Sequence, residues 1–149
     1  IDVEFMNKQF HRNIVMNDDF GVCMAALNYS GMIIASKAQE QEEDEYEDDL
    51  EVDEQAKRKK NSNIMFKPFN EWKDAKDWSY ELKGGESVEC VAVGSGWCAA
   101  LTDFNYIRIF SSDGIQRHLL CQGTPVVSMA GYESFLSIIY HSGPPIYGC

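Results

Sequence analysis

The chain has 149 residues, of which 44% are hydrophobic, 25% charged and 12% aromatic. That is enough to bury the core of one ordinary domain, and no apolar run approaches the ~20 residues of a membrane-spanning helix. The net charge of −11 is concentrated in one place: Glu40 to Glu54 holds eleven acidic residues, and the remainder is only mildly acidic. Collagen-like and wholly disordered classes are excluded. A body without a cationic face is not expected to grip duplex DNA by itself.

In chain order, residues 1–36 read as short strands, the first strands of a propeller. They are Ile1–Phe5, Gly21–Leu27 and Met32–Ser36, separated by Asn-Asp-Asp and Asn-Tyr-Ser-Gly turns. Residues 37–63 form a low-complexity insert with an acidic run (Glu40, Glu42, Glu43, Asp44, Glu45, Glu47, Asp48, Asp49), then Lys57, Arg58, Lys59 and Lys60. So many like charges repel one another, and too few apolar groups remain to offset the entropy of ordering. We expect a disordered, solvated loop. The basic run has the residue type of a nuclear-import signal, and the acidic run that of a docking site for basic partners such as histones.

Residues 64–149 return to alternating strands: Asp77–Leu82, Val88–Val93, Gly96–Thr102, Tyr106–Ser111, Ile115–Cys121, Pro125–Ala130 and Ser134–Tyr140. Turn formers divide them, and Asp113-Gly114 between two alternating runs is a strong hairpin signal. Asn70–Lys76 reads as a possible short helix.

Self-comparison exposes a repeat. Val88 and Val126, Ala92 and Ala130, Trp97 and Phe135, and Leu101 and Ile139 all recur at an offset of 38. A period near 40 with four short strands per unit is the signature of propeller blades. Each small sheet must stack on a neighbour to cover its faces. The eight residues of these pairs are therefore the expected propeller core, with alanines where blades converge and Trp97 and Phe135 filling the widening wedge. The fold class is all-β, a partial WD40-like propeller with about three blades of an expected six. The N-terminal strands, a block around Trp72–Thr102 and a block ending mid-blade near Tyr140 would supply them. With Ile at position 1, we expect an excerpt of a longer chain that cannot close a ring alone.

Chemistry is sparse. His11, His118 and His141 have no ligand spacing, and Gly94-Ser95-Gly96 lacks the Lys of a phosphate loop. Cys23, Cys90, Cys98, Cys121 and Cys149 include no Cys-x-x-Cys pair and read as reduced core cysteines of a cytosolic or nuclear protein. We expect no enzyme, catalytic residue, metal or cofactor.

Segments Gly96-Trp97-Cys98-Ala99-Ala100, Ile107-Arg108-Ile109-Phe110 and Pro125-Val126-Val127-Ser128-Met129-Ala130-Gly131 resemble one known family. It is the central, SepB-type propeller of the acidic nucleoplasmic DNA-binding proteins. These are the chromosome transmission fidelity replisome hubs of fungi and the WD-repeat and HMG-box DNA-binding proteins of animals. The resemblance spans nearly the whole chain except the insert. It implies a nuclear, non-enzymatic scaffold for DNA replication that forms homotrimers through the propeller. It further implies that a helical bundle, absent here, binds the GINS subunits of the replicative helicase and DNA polymerase alpha–primase. The rival reading is a WD-type binding module that recognises basic peptides or histones through the acidic loop.

Overall fold

The computed structural model describes residues 1–39, 60–69 and 76–143. Every regular element among them is a strand. In chain order these are β1 (Asp2–Val3), β2 (Ile14–Val15), β3 (Val22–Leu27), β4 (Gly31–Ser36), β5 (Asn63–Pro68) and β6 (Trp78–Glu81). They continue with β7 (Val88–Gly94), β8 (Trp97–Thr102), β9 (Tyr106–Ser111), β10 (Gln116–Cys121), β11 (Val126–Tyr132) and β12 (Phe135–Tyr140). Strands β3–β6 and β7–β10 are two antiparallel four-stranded meanders in chain order, and β11–β12 is a two-stranded hairpin. Neighbouring sheets meet mainly through β7, which packs on β3 and β4 alike on one side and on β11 on the other. Two complete blades and the first hairpin of a third thus stand side by side, a partial WD40-like propeller.

The repeat is visible in the pairing itself. Val22 faces Ser36, Val88 faces Thr102 and Val126 faces Tyr140. In all three hairpins the register then slips by one residue, leaving Cys23, Glu89 or Val127 unpaired. A bulge at the start of a strand bends it and raises its twist, so each blade enters the ring with the same shape. Val88 and Val126 occupy equivalent places, as do Trp97 and Phe135, each opening its second strand.

Burial shows how blades are glued. Blade 1 offers Ile33, Ala35, Ile64 and Phe66 to Leu82, Val91, Val93, Cys98, Ala100 and Phe110. Trp78 and Tyr80 of β6 pack on Phe110 with ring centroids 5.3 and 5.1 Å apart. The Trp78 Nε1–H also donates to Ser112 O across the blade boundary at 2.9 Å. The opposite face of blade 2 presents Ala92, Ala99, Leu101 and Ile107 to Met129, Val126, Leu136 and Ile138. Ala35 and Ala100 lie in the first of these buried clusters, Ala92 and Ala99 in the second.

Three expectations are corrected. Trp78–Glu81 is the outer strand of blade 1, not part of the blade that runs to Thr102. The N-terminal pair β1–β2 lies outside that blade as a separate sheet, because β5, resuming at Asn63 after the insert, pairs with β4 and completes a four-stranded sheet of β3–β6 without it. Of the expected core, Val88, Ala92 and Leu101 are buried and Trp97 and Val126 partly so. Ala130, Phe135 and Ile139 are exposed instead, the last two at 71% and 60%. They sit at the third hairpin's equivalents of Ala92, Trp97 and Leu101, and among the described residues no further sheet covers that face. The Asn70–Lys76 segment lies outside the described residues apart from Lys76.

Candidate interaction surfaces

In a meander the first and third turns of each blade share one rim, and the middle loop and the interblade connector share the other. The insert is the middle loop of blade 1, so it leaves the second rim. Its base is a closed stem. Gln39 and Lys60 exchange backbone hydrogen bonds of 3.0 and 2.9 Å, and the Ala38 N–H donates to Ser87 Oγ at 3.0 Å. The buried Ser62 hydroxyl donates to Ser36 O and accepts the Val88 N–H. The stem is thereby bolted to the connector that starts blade 2. Of the basic run, only Lys60 falls in the described residues. Its Nζ donates to Asp19 O at 2.9 Å. Lys57, Arg58, Lys59 and the acidic run from Glu40 to Asp49 lie outside them.

The first rim carries a different device. The Asn28 side-chain amide donates to Gly94 O at 2.8 Å, linking the turn of blade 1 to that of blade 2. Ser95 N–H and Trp97 Nε1–H both donate to Glu133 O, at 2.7 and 2.8 Å, linking blade 2 to the third hairpin. The Trp97 ring packs against Gly94 and reaches Gly131, positions where any Cβ would strike its ring or the facing backbone. Glu133 takes φ +47°, a left-handed conformation that disfavours a side chain. The two bonds to its carbonyl hold it there.

One buried ion pair was not foreseen. Glu86, 4% exposed, accepts Arg108 Nε and Nη2 at 2.9 and 2.6 Å, and Arg108 Nη1 donates to Gln116 Oε1 at 3.0 Å. Burial works against the Glu86 charge, but the hydrogen bonds and charge of Arg108 outweigh it and hold the carboxyl below its ordinary range. Hydrogen bonding to Glu86 in turn holds the guanidinium above its own. The pair joins the connector before β7 to β9, so it fastens blade 2 internally. No spacing signal links two residues 22 apart in sequence.

The remaining candidates are modest. An open groove of about 410 Å³ between β9–β10 and β12 is lined by Trp97, Ile109, Arg117, His118, Ser134 and Leu136. Among the described residues no three His, Cys, Asp or Glu side chains are placed to hold a metal. His11 is part of an aromatic cluster with Phe5 and Phe69. Among the described residues the core reading of the cysteines holds fully for Cys98, whose thiol burial pushes up to about 12. Cys90 is half-buried, and Cys23 and Cys121 are exposed. Cys149 lies outside the described residues. What the arrangement offers is surface: two hydrogen-bonded rims, and an open sheet face with Val127, Tyr132, Phe135 and Ile139 exposed.

The fold and these surfaces define a propeller segment of the WD40-like class. Comparison with known proteins narrows this further. The model of the family described as "Minichromosome loss protein, Mcl1, middle region" matches residues 1–149, and the chain belongs to that family. It is similar to the Arabidopsis thaliana "Protein ENHANCER OF LHP1 1", with 33% identity over 85% of the chain. It is also similar to "WD repeat and HMG-box DNA-binding protein 1" of Mus musculus (30% over 96%) and of Homo sapiens (29% over 96%). The chain spans 11% of the length of each of these relatives.

Proposed function

We propose that this chain is part of a non-enzymatic scaffold for DNA replication in the nucleus, a propeller that organises partners and performs no chemistry. The observation that carries the reading is the family match over the whole chain, joined to a fold whose conspicuous features are rims and stacking faces. On this reading the full-length protein is a homotrimer through its propeller. A helical bundle outside this chain then binds GINS of the replicative helicase and DNA polymerase alpha–primase. Three arms on one mount raise the effective concentration of each tethered partner for the others, which couples unwinding to priming without any new contact in the propeller. The Lys57–Lys60 run serves nuclear import. Two measurements on the full-length protein test the proposal: its molar mass by light scattering, and co-purification of GINS and polymerase alpha. A monomer at micromolar concentration removes the trimer. A trimer that retains neither partner removes the coupling role.

A further inference from the structure

The loop that joins β1 to β2 carries exposed apolar side chains that blade stacking does not explain. Met6 is fully exposed, Phe10 is 45% exposed, and Tyr29 in the β3–β4 turn is 86% exposed. The Phe10 and Tyr29 rings meet edge to face with centroids 5.9 Å apart, and Phe10 also contacts the buried Phe69 ring. Loop and turn thus form one apolar surface on the first rim. Phe135 and Ile139, by contrast, lie on the open sheet face of the third hairpin, and a rim is not a stacking face. Tyr29 is also the second residue of its hairpin turn, where blade 2 and the third hairpin have Ser95 and Glu133. A polar residue serves that position in both other turns.

The loop is fixed in shape by its own groups. Asn7 Oδ1 accepts the Gln9 N–H at 3.0 Å, and the Phe10 N–H donates to Asn7 O at 3.0 Å. His11 packs on Phe5 and Phe69 with ring centroids 5.1 and 5.4 Å away. A surface already shaped loses little conformational entropy on binding. Its Met, Phe, Tyr and Arg are residue types enriched where protein interfaces are buried, and a cluster of exposed apolar groups rimmed by polar ones marks such sites.

Charge selects the occupant. From Phe5 to Asn13 the sequence holds Lys8 and Arg12, both exposed, and no Asp or Glu, although the chain's net charge is −11. A pair of cations suits a few carboxylates. Single-stranded nucleic acid is held instead by a cationic groove that tracks its backbone, and the acidic remainder of the chain opposes so long a polyanion. The chain's own acidic insert leaves from the second rim, the opposite side of the blades. We infer that the β1–β2 loop and Tyr29 are a docking surface for another protein. The segment it takes is an acidic peptide whose aromatic or aliphatic anchor packs on Phe10 and Tyr29 while flanking carboxylates meet Lys8 and Arg12. This contact is separate from those assigned above to the helical bundle.

Fluorescence anisotropy on the full-length protein tests this with labelled probes. They are short degenerate peptide pools, acidic with one central Phe or Leu, basic with the same anchors, or acidic with no anchor, and oligo-dT. The acidic, anchored pool should bind best, and Tyr29→Ser should weaken it at least about fivefold. The double variant K8E/R12E should abolish that preference and favour the basic pool. All three substituted side chains are exposed, so the fold is retained. Equal binding of the pools, or a preference that survives both variants, overturns the inference. Tighter binding of oligo-dT gives the surface to nucleic acid and overturns it too. Deleting residues 40–54 should leave the preference unchanged. Acidic-pool binding that emerges only after that deletion gives the site to the chain's own insert and overturns the partner.

Discussion

Blade 2 and the third hairpin are built to one plan and buried to different degrees. β7–β8 and β11–β12 share length, register and bulge, yet Ala92 and Leu101 are buried whereas Ala130 and Ile139 are exposed. Backbone geometry is therefore set inside each hairpin, by alternation and turn chemistry. Burial is set by the neighbour. A blade face is a half-interface, and it acquires stabilising value only when the next blade covers it.

The sharpest way to break this comparison is at Phe110, fully buried between blades 1 and 2. Phe110→Ala should cost about 3–5 kcal/mol by urea denaturation, because the aromatic cage of Trp78 and Tyr80 cannot collapse onto the gap. Phe135→Ala in the same chain should cost less than about 0.5 kcal/mol, because its ring is already exposed. Equal costs would dismiss the half-interface view.

Within blade 2, Arg108→Met should cost about 3–5 kcal/mol at pH 7 by stranding the Glu86 charge in the interior. The pH dependence separates this from lost packing. In the parent protein the folded Glu86 carboxyl titrates below its ordinary value of 4.5. Its stabilising contribution is complete above that value and is lost as pH falls through the lower, folded one. In R108M the unpaired buried carboxylate favours protonation instead, so the gap between variant and parent should narrow between pH 7 and pH 4. A gap constant with pH would assign the loss to packing.

Gly131→Ala tests the joint between the two regions. Its new methyl meets the Val93 carbonyl and the Trp97 ring, and the loss should be about 1–3 kcal/mol by denaturation. Glu133→Gly should do the reverse on a smaller scale. Relief of the left-handed strain at φ +47° should gain up to about 1 kcal/mol in the same assay, provided the bonds from Ser95 and Trp97 persist.

The strands that the residues reveal best are those whose alternation is uninterrupted. Tyr106–Ser111 has the bounds expected of it, and the match of Val88–Gly94 to Val126–Tyr132 follows from like residues at one offset. What stays hidden has physical causes. β2 is only two residues long, too short for any period to show. The grouping of strands into blades fails where the insert separates β4 from β5, since local alternation does not say which hairpin completes which sheet. Ala130, Phe135 and Ile139 show that apolar spacing marks a face meant for covering, not whether a cover is present. Glu86 and Arg108 meet only through a side-chain contact between β9 and the connector before β7, a tertiary event with no local trace.

The hydrogen-bonded stem at Gln39 and Lys60 has a practical corollary. Its two strands leave and re-enter the sheet about 5 Å apart, the spacing of neighbouring strands, and they are pinned on the blade side. This makes the position a natural port: a fluorophore, an affinity handle or a small reporter domain spliced between these residues would report on the assembled ring from a fixed socket while leaving the leaves themselves unaltered.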